Sequence, residues 1–148
     1  MSTYPTLQYL RYRLKAKNRH GIHSPFVYGF IEQVLLNKQP ADKPAAVAGD
    51  ISAIPPKYRP LLPYIQSYCN PHGIQVVPVN QAASFTTQHL HANDVVLLPC
   101  IHTTAASTHA WHALRSNTTV PLSIDLYGIG LLFFKTEFKE KQHFVLKY

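Results

Sequence analysis

The chain has 148 residues, with 14 Lys and Arg against 7 Asp and Glu and a formal net charge of +7. That length suits a single domain with its own core, and low charge with many Tyr, Phe and Pro excludes a disordered tail. Two cysteines with no C-x-x-C pair exclude a disulfide framework and a cysteine zinc site, and apolar runs such as 95–98 and 129–134 fall far below the ~20 residues of a membrane helix.

In chain order, residues 6–19 place Leu7, Leu10 and Leu14 at i, i+3 and i+7, which predicts an amphipathic helix opened near Thr3 and Pro5. The segment 20–23 breaks it. Ser24-Pro25 is an N-cap followed by proline at the first helical position, and Phe26, Val27, Phe30, Ile31, Val34 and Leu35 give the second helix a broad apolar face. Residues 38–56, punctuated by prolines, form a connector. A third helix is predicted from about Pro60 to Cys69, followed by a turn at 70–73.

Strand 74–79, a weak helix at 82–91, strand 95–98, helix 104–116 and the alternating strand 120–126 then make an α/β series. Residues 130–135 and 142–148 read as a closing antiparallel hairpin. The predicted fold class is therefore α/β, a reduced Rossmann-like sheet of about five mostly parallel strands with that hairpin at its end. One domain spans 1–148, divided into N-terminal helices (1–37), connector (38–56) and α/β core (57–148).

In open α/β sheets, ligands bind beyond the carboxyl ends of the strands. Those loops would bring together Asn80, Gln81, Cys100, His102 and Thr103, with His102 and Asp125 as catalytic candidates. Simpler roles compete with these. Thr103 or Thr104 could cap the helix that follows, His102 could pack beside Trp111, and Asp125 could be a structural partner near the sheet edge.

Nine histidines include the pairs His20/His23, His89/His91 and His109/His112, but none sits in a zinc signature, so no metal is expected. Arg11, Arg13, Lys15, Lys17 and Arg19 form a basic stretch suited to nucleic acid or an anionic surface, or simply a solvated helix face. The first residues lack a signal-peptide layout, so a cytoplasmic protein is expected.

The segment His20-Gly21-Ile22-His23-Ser24-Pro25-Phe26-Val27 resembles the opening of a bacterial O-methyltransferase-like group of class I methyltransferases, which use S-adenosylmethionine. Residues 54–62, 101–111, 123–131 and 140–144 resemble later segments of the same group. The resemblance implies a Rossmann-like methyltransferase sheet and S-adenosylmethionine as the possible cofactor. It also implies a glycine-rich turn after the first strand, where backbone must approach the ligand closely. The corresponding place, Val77-Pro78-Val79-Asn80-Gln81, has neither glycine nor acid, and Pro99-Cys100 stands where the family has an acidic pair. A degenerate methyltransferase-like protein acting through binding or oligomerisation is therefore expected, with a homodimer or a family member as partner. The alternatives are an active O-methyltransferase with an unconventional or partner-completed site, and a nucleic-acid or anionic-surface binder working through residues 11–19.

Overall fold

The computed structural model describes residues 3–69, 71–85 and 90–148, without the side chain of Arg19. Its centre is a six-stranded mixed sheet in the order β1-β2-β3-β5-β4-β6. The strands are β1 (Val47–Ala48), β2 (Ile74–Val76), β3 (Val95–Pro99), β4 (Leu122–Asp125), β5 (Ile129–Phe133) and β6 (Gln142–Val145). Five run in one direction, and β5 alone is antiparallel, set between β3 and β4. The helices are α1 (Tyr4–Lys15), α2 (Pro25–Phe30), continued by a π-helical turn, α3 (Leu62–Cys69) and α4 (Ala105–Arg115).

Strand periodicity divides the core in two. In β3, Val95 and Leu97 face a cluster built with Val27, Phe30, Leu62 and Ile65 of α2 and α3, while Val96 and Leu98 face Trp111 and Leu114 of α4. Helices thus cover both faces, which is why β3 is apolar at every position. Trp111 lies against β5 at Gly130, where an added Cβ would come within 2.5 Å of the indole ring. Ser24 caps α2 by accepting from the Val27 N–H at 3.3 Å, with Pro25 at the first turn, as the sequence predicts.

Four expectations need correction. First, residues 130–135 and 142–148 do not form a hairpin. β5 pairs with β4 through the tight turn at 126–128, and β6 joins the far side of β4 in parallel. Aromatic side chains of this region pack inward: Phe133 is buried, and Phe134, Phe138, Phe144 and Tyr148 pack against the core.

Second, α1 docks by the opposite face from its leucines. Leu7, Leu10 and Leu14 are 47, 57 and 88% exposed, whereas Tyr12 is buried. Tyrosine, with an apolar ring and a hydrogen-bonding tip, suits this face because Tyr12 meets the Leu146 carbonyl and the Tyr148 N–H beneath it.

Third, the connector contains β1, a parallel edge strand followed at once by Gly49 and Asp50. Gly49 has φ +108° and a Cβ there would lie 2.7 Å from the Val76 carbonyl oxygen, so glycine lets β1 approach β2. Asp50 accepts from the Ser52 N–H at 2.9 Å, capping the next turn. Fourth, the predicted helix at 82–91 is a 3-10 turn over Val79–Ser84, with the rest of that span falling largely outside the described residues.

Candidate functional site

Because β3, β4 and β6 are co-directional, the loops after them (100–104, 126–128 and 146–148) gather along one edge of the sheet. Helix α1 lies across that edge. The Tyr12 hydroxyl donates to the Leu146 carbonyl (2.5 Å) and accepts from the Tyr148 N–H (3.1 Å), while the Tyr127 hydroxyl donates to the Pro5 carbonyl (2.5 Å). Burial pushes the Tyr12 hydroxyl up to about 12, so it remains a donor at any physiological pH. Two non-glycine residues of this edge, Cys100 and Tyr127, have φ of +59° and +74°. Such conformations are unfavourable for a side chain and persist only where the surroundings hold them. For Tyr127 the restraint is visible, since its N–H donates to Asp125 Oδ1 at 2.7 Å.

At the centre of the edge stands a buried pair. His102 Nε2 lies 2.6 Å from Asp125 Oδ2, with the two side chains 8 and 6% exposed. His102 Nδ1 lies 3.2 Å from the Thr108 hydroxyl, which is also 3.1 Å from the Ile101 carbonyl. With Oδ1 of Asp125 held by Tyr127, both carboxylate oxygens and both ring nitrogens face fixed protein partners. The ring stacks on Tyr127 at 5.6 Å and 21°.

Two cavities flank this pair. One, of about 450 Å³, is lined by tyrosines 9, 12, 58, 127 and 148 together with Cys100, His102 and Thr103. Its cation Lys57 is engaged, donating to the Tyr148 carbonyl at 2.7 Å and lying over the rings of Tyr58 and Tyr148. The other, of about 430 Å³, opens between α1 and α4 and takes Arg11, Lys15 and Arg115 along with His102, His109, His112 and His143. Asp125 is the one carboxylate lining either. Burial first, and then the Arg115 guanidinium, holds His143 down to about 4 and lowers His112 as well. Burial also lowers Arg115, whose Nε is buried without a hydrogen-bond partner.

The predicted residues thus separate. Cys100, His102 and Thr103 meet at one cavity, and Asp125 joins His102. Asn80 and Gln81 are exposed on the 3-10 turn and line neither cavity. Thr104, not Thr103, is the cap of α4, in a reciprocal box with Ser107 at 3.0 Å each way. His102 packs on Tyr127 rather than on Trp111, and Asp125 is a bonded partner on β4, the strand next to the sheet's outer strand β6.

Of the basic stretch, Arg11 and Lys15 share one helix face and reach the second cavity. Arg13 is exposed elsewhere, Lys17 pairs by its backbone with 145–147, and the Arg19 side chain lies outside the described residues. His91 packs on His72 at 4.3 Å between ring centroids, and His89 lies outside the described residues.

Sequence reasoning missed the tyrosines and Arg115. The detectable signal was the phase of α1, since Tyr9 and Tyr12 fall opposite its leucines.

Among the described residues, no group of three or more His, Cys, Asp or Glu is placed to hold a metal ion, and no helix is long and apolar enough to cross a membrane. Comparison with known proteins finds no matching family model, no similar curated protein and no similar solved structure.

Proposed function

We propose that this chain is a degenerate methyltransferase-like α/β protein that works by binding, without methyl transfer, and that its ligand is a small planar molecule held in the tyrosine cavity. The observation that carries this reading is the closed His102–Asp125–Tyr127 arrangement. A general base needs a free acceptor facing its substrate, and here each Asp125 oxygen and each His102 ring nitrogen already has a protein partner. The cavity itself lies within the range of about 300–1,000 Å³ usual for small-molecule sites. It also sits beyond the carboxyl ends of parallel strands, where such sites belong.

Two further features favour the degenerate reading over an active enzyme with S-adenosylmethionine as cofactor. The glycine turn directly after the parallel strand β1, Gly49-Asp50, is consumed by strand packing and by a turn cap. Asn80 and Gln81, the expected cofactor contacts, stand apart from Cys100, His102 and Thr103. Calorimetric titration with adenosine, S-adenosylmethionine and S-adenosylhomocysteine tests this directly. Saturable binding of adenosine, with no tighter binding of the sulfonium cofactor and no methyl transfer, supports it. Micromolar S-adenosylmethionine binding that Asp125→Asn abolishes would restore the enzyme.

A second reading concerns partners. Leu7, Leu10 and Leu14 form an exposed apolar face of α1. An exposed apolar stripe of this kind is a surface that association covers. A homodimer through α1 predicts concentration-dependent sedimentation that Leu10→Glu abolishes. Among the described residues, the basic side chains of this stretch split between the cavity and other faces, so the nucleic-acid alternative ranks last.

A further inference from the structure

The cavity between α1 and α4 has a chemistry that the tyrosine cavity lacks. Arg11 and Lys15 stand at its mouth, four residues apart and so on one side of α1. Arg115, from the last turn of α4, approaches from the other wall. His109 and His112, three residues apart on α4, complete the lining on that wall. Against three permanent cations the cavity offers a single carboxylate, Asp125, already bonded to His102 and to the Tyr127 N–H.

The ion pairs among the described residues are His102–Asp125 and Lys135–Glu137, so Arg11, Lys15 and Arg115 are in none of them, and Arg115 feels Asp125 only at longer range. The nearby Lys141 offers none and adds to the positive field, with its ammonium spent on the carbonyls of Asn117 and Val120. Most telling is Arg115 Nε, a buried donor with no acceptor. Buried donors are ordinarily satisfied, so an unpaired one on a residue that lines the cavity marks a guanidinium whose hydrogen bonding the protein alone does not complete.

We infer that this cavity is a binding site for the phosphate group of a small phosphomonoester, gripped by Arg115 and Arg11 with Lys15 at the mouth. The choice of phosphate follows from charge and shape. Two guanidinium groups and one ammonium match a dianion with several acceptor oxygens better than a single carboxylate, and guanidinium forks suit phosphate geometry. The choice of a small molecule follows from enclosure. The cations converge on a cavity of about 430 Å³ walled by two helices, and Arg13, the next cation on α1, is not part of it. This site is separate from the tyrosine cavity and does not depend on what that cavity binds.

The test is a chemical-shift titration of the full chain with inorganic phosphate and with phenyl phosphate, against chloride at equal ionic strength. Saturable shifts at residues 11, 15, 109, 112 and 115 are expected, and phenyl phosphate should bind more tightly than phosphate alone. Arg115→Gln should weaken binding at least about tenfold, because it removes a charge-assisted fork. Lys15→Gln, at an exposed position that leaves the fold untouched, should weaken it a few-fold, and Arg13→Gln should leave it unchanged. Shifts that never saturate, or equal losses in Arg13→Gln and Lys15→Gln, would overturn the assignment by showing diffuse attraction to a basic surface. Saturation by inorganic phosphate with no gain for the monoester would overturn the small-molecule part of it.

Discussion

The two cavities share two walls, Tyr12 and His102, yet they hold opposite chemistries. One is ringed by tyrosines and has its single cation tied down, and the other is ringed by cations and has its single acid tied down. A helix is what makes this possible, since side chains a few residues apart on α1 project to either side of Tyr12. Arg11 and Lys15 go one way, and Pro5 and Tyr9 the other. The comparison teaches that this end of the sheet is divided, and that His102, braced by Asp125, stands with Tyr12 as the partition.

Removing the partition should have the largest effect. Asp125→Ala leaves the His102 ring and the Tyr127 N–H without their acceptor in a buried place, and should cost about 3–5 kcal/mol in chemical denaturation. A loss under about 1 kcal/mol would mean that the pair divides nothing.

Acid should act next, and on the basic side. His143 titrates near 6.5 when unfolded and about 4 when folded. The unfolded chain therefore takes up this proton first. Stability is full above pH 6.5 and falls as pH drops toward 4, by about 3 kcal/mol from this group. His143→Gln should flatten that part of the pH–stability curve, and an unchanged slope would remove His143 from the cause.

On the tyrosine side the expected effect is smaller. Tyr12→Phe deletes the hydroxyl that bridges the Leu146 carbonyl and the Tyr148 N–H, at a cost of about 1–3 kcal/mol by thermal denaturation. The smallest belongs to the outer face of α1. Leu14→Ser should change stability by no more than about 0.5 kcal/mol at dilute protein, since that side chain is 88% exposed. A large loss would place the leucine face, not the tyrosine face, against the protein.

The parts of the fold legible in the sequence were those with strong local signals. Ser24-Pro25 marks a helix start, the continuous apolar run at 95–98 marks a buried strand, and the alternation at 120–126 marks β4. Pairing was not legible, because order and direction in a sheet are settled by long-range contacts. The partner of 129–133 therefore went unrecognised, as did the two-residue strand β1, which is too short to show a period. The face of α1 was misread because leucine spacing is evidence of burial only when the rest of the protein offers an apolar surface, and this sheet edge offers carbonyls and amides instead. Half of the site was legible: the loop rule points to Cys100, His102 and Thr103, which line one cavity, and Asp125 stands among the sequence candidates. Their union was hidden by the 23-position offset between His102 and Asp125, a separation that the parallel arrangement of β3 and β4 closes.

The most direct test of the tyrosine cavity as the binding site uses its own thiol. Cys100 is exposed at the rim of that cavity, whereas Cys69 is buried, with its thiol pushed up to about 12 by burial. Alkylation followed by mass spectrometry on the folded chain should therefore label Cys100 first. Adenosine should slow that labelling in a saturable way while inorganic phosphate leaves it unchanged. Labelling of Cys100 at the same rate with and without saturating adenosine would contradict binding in the tyrosine cavity.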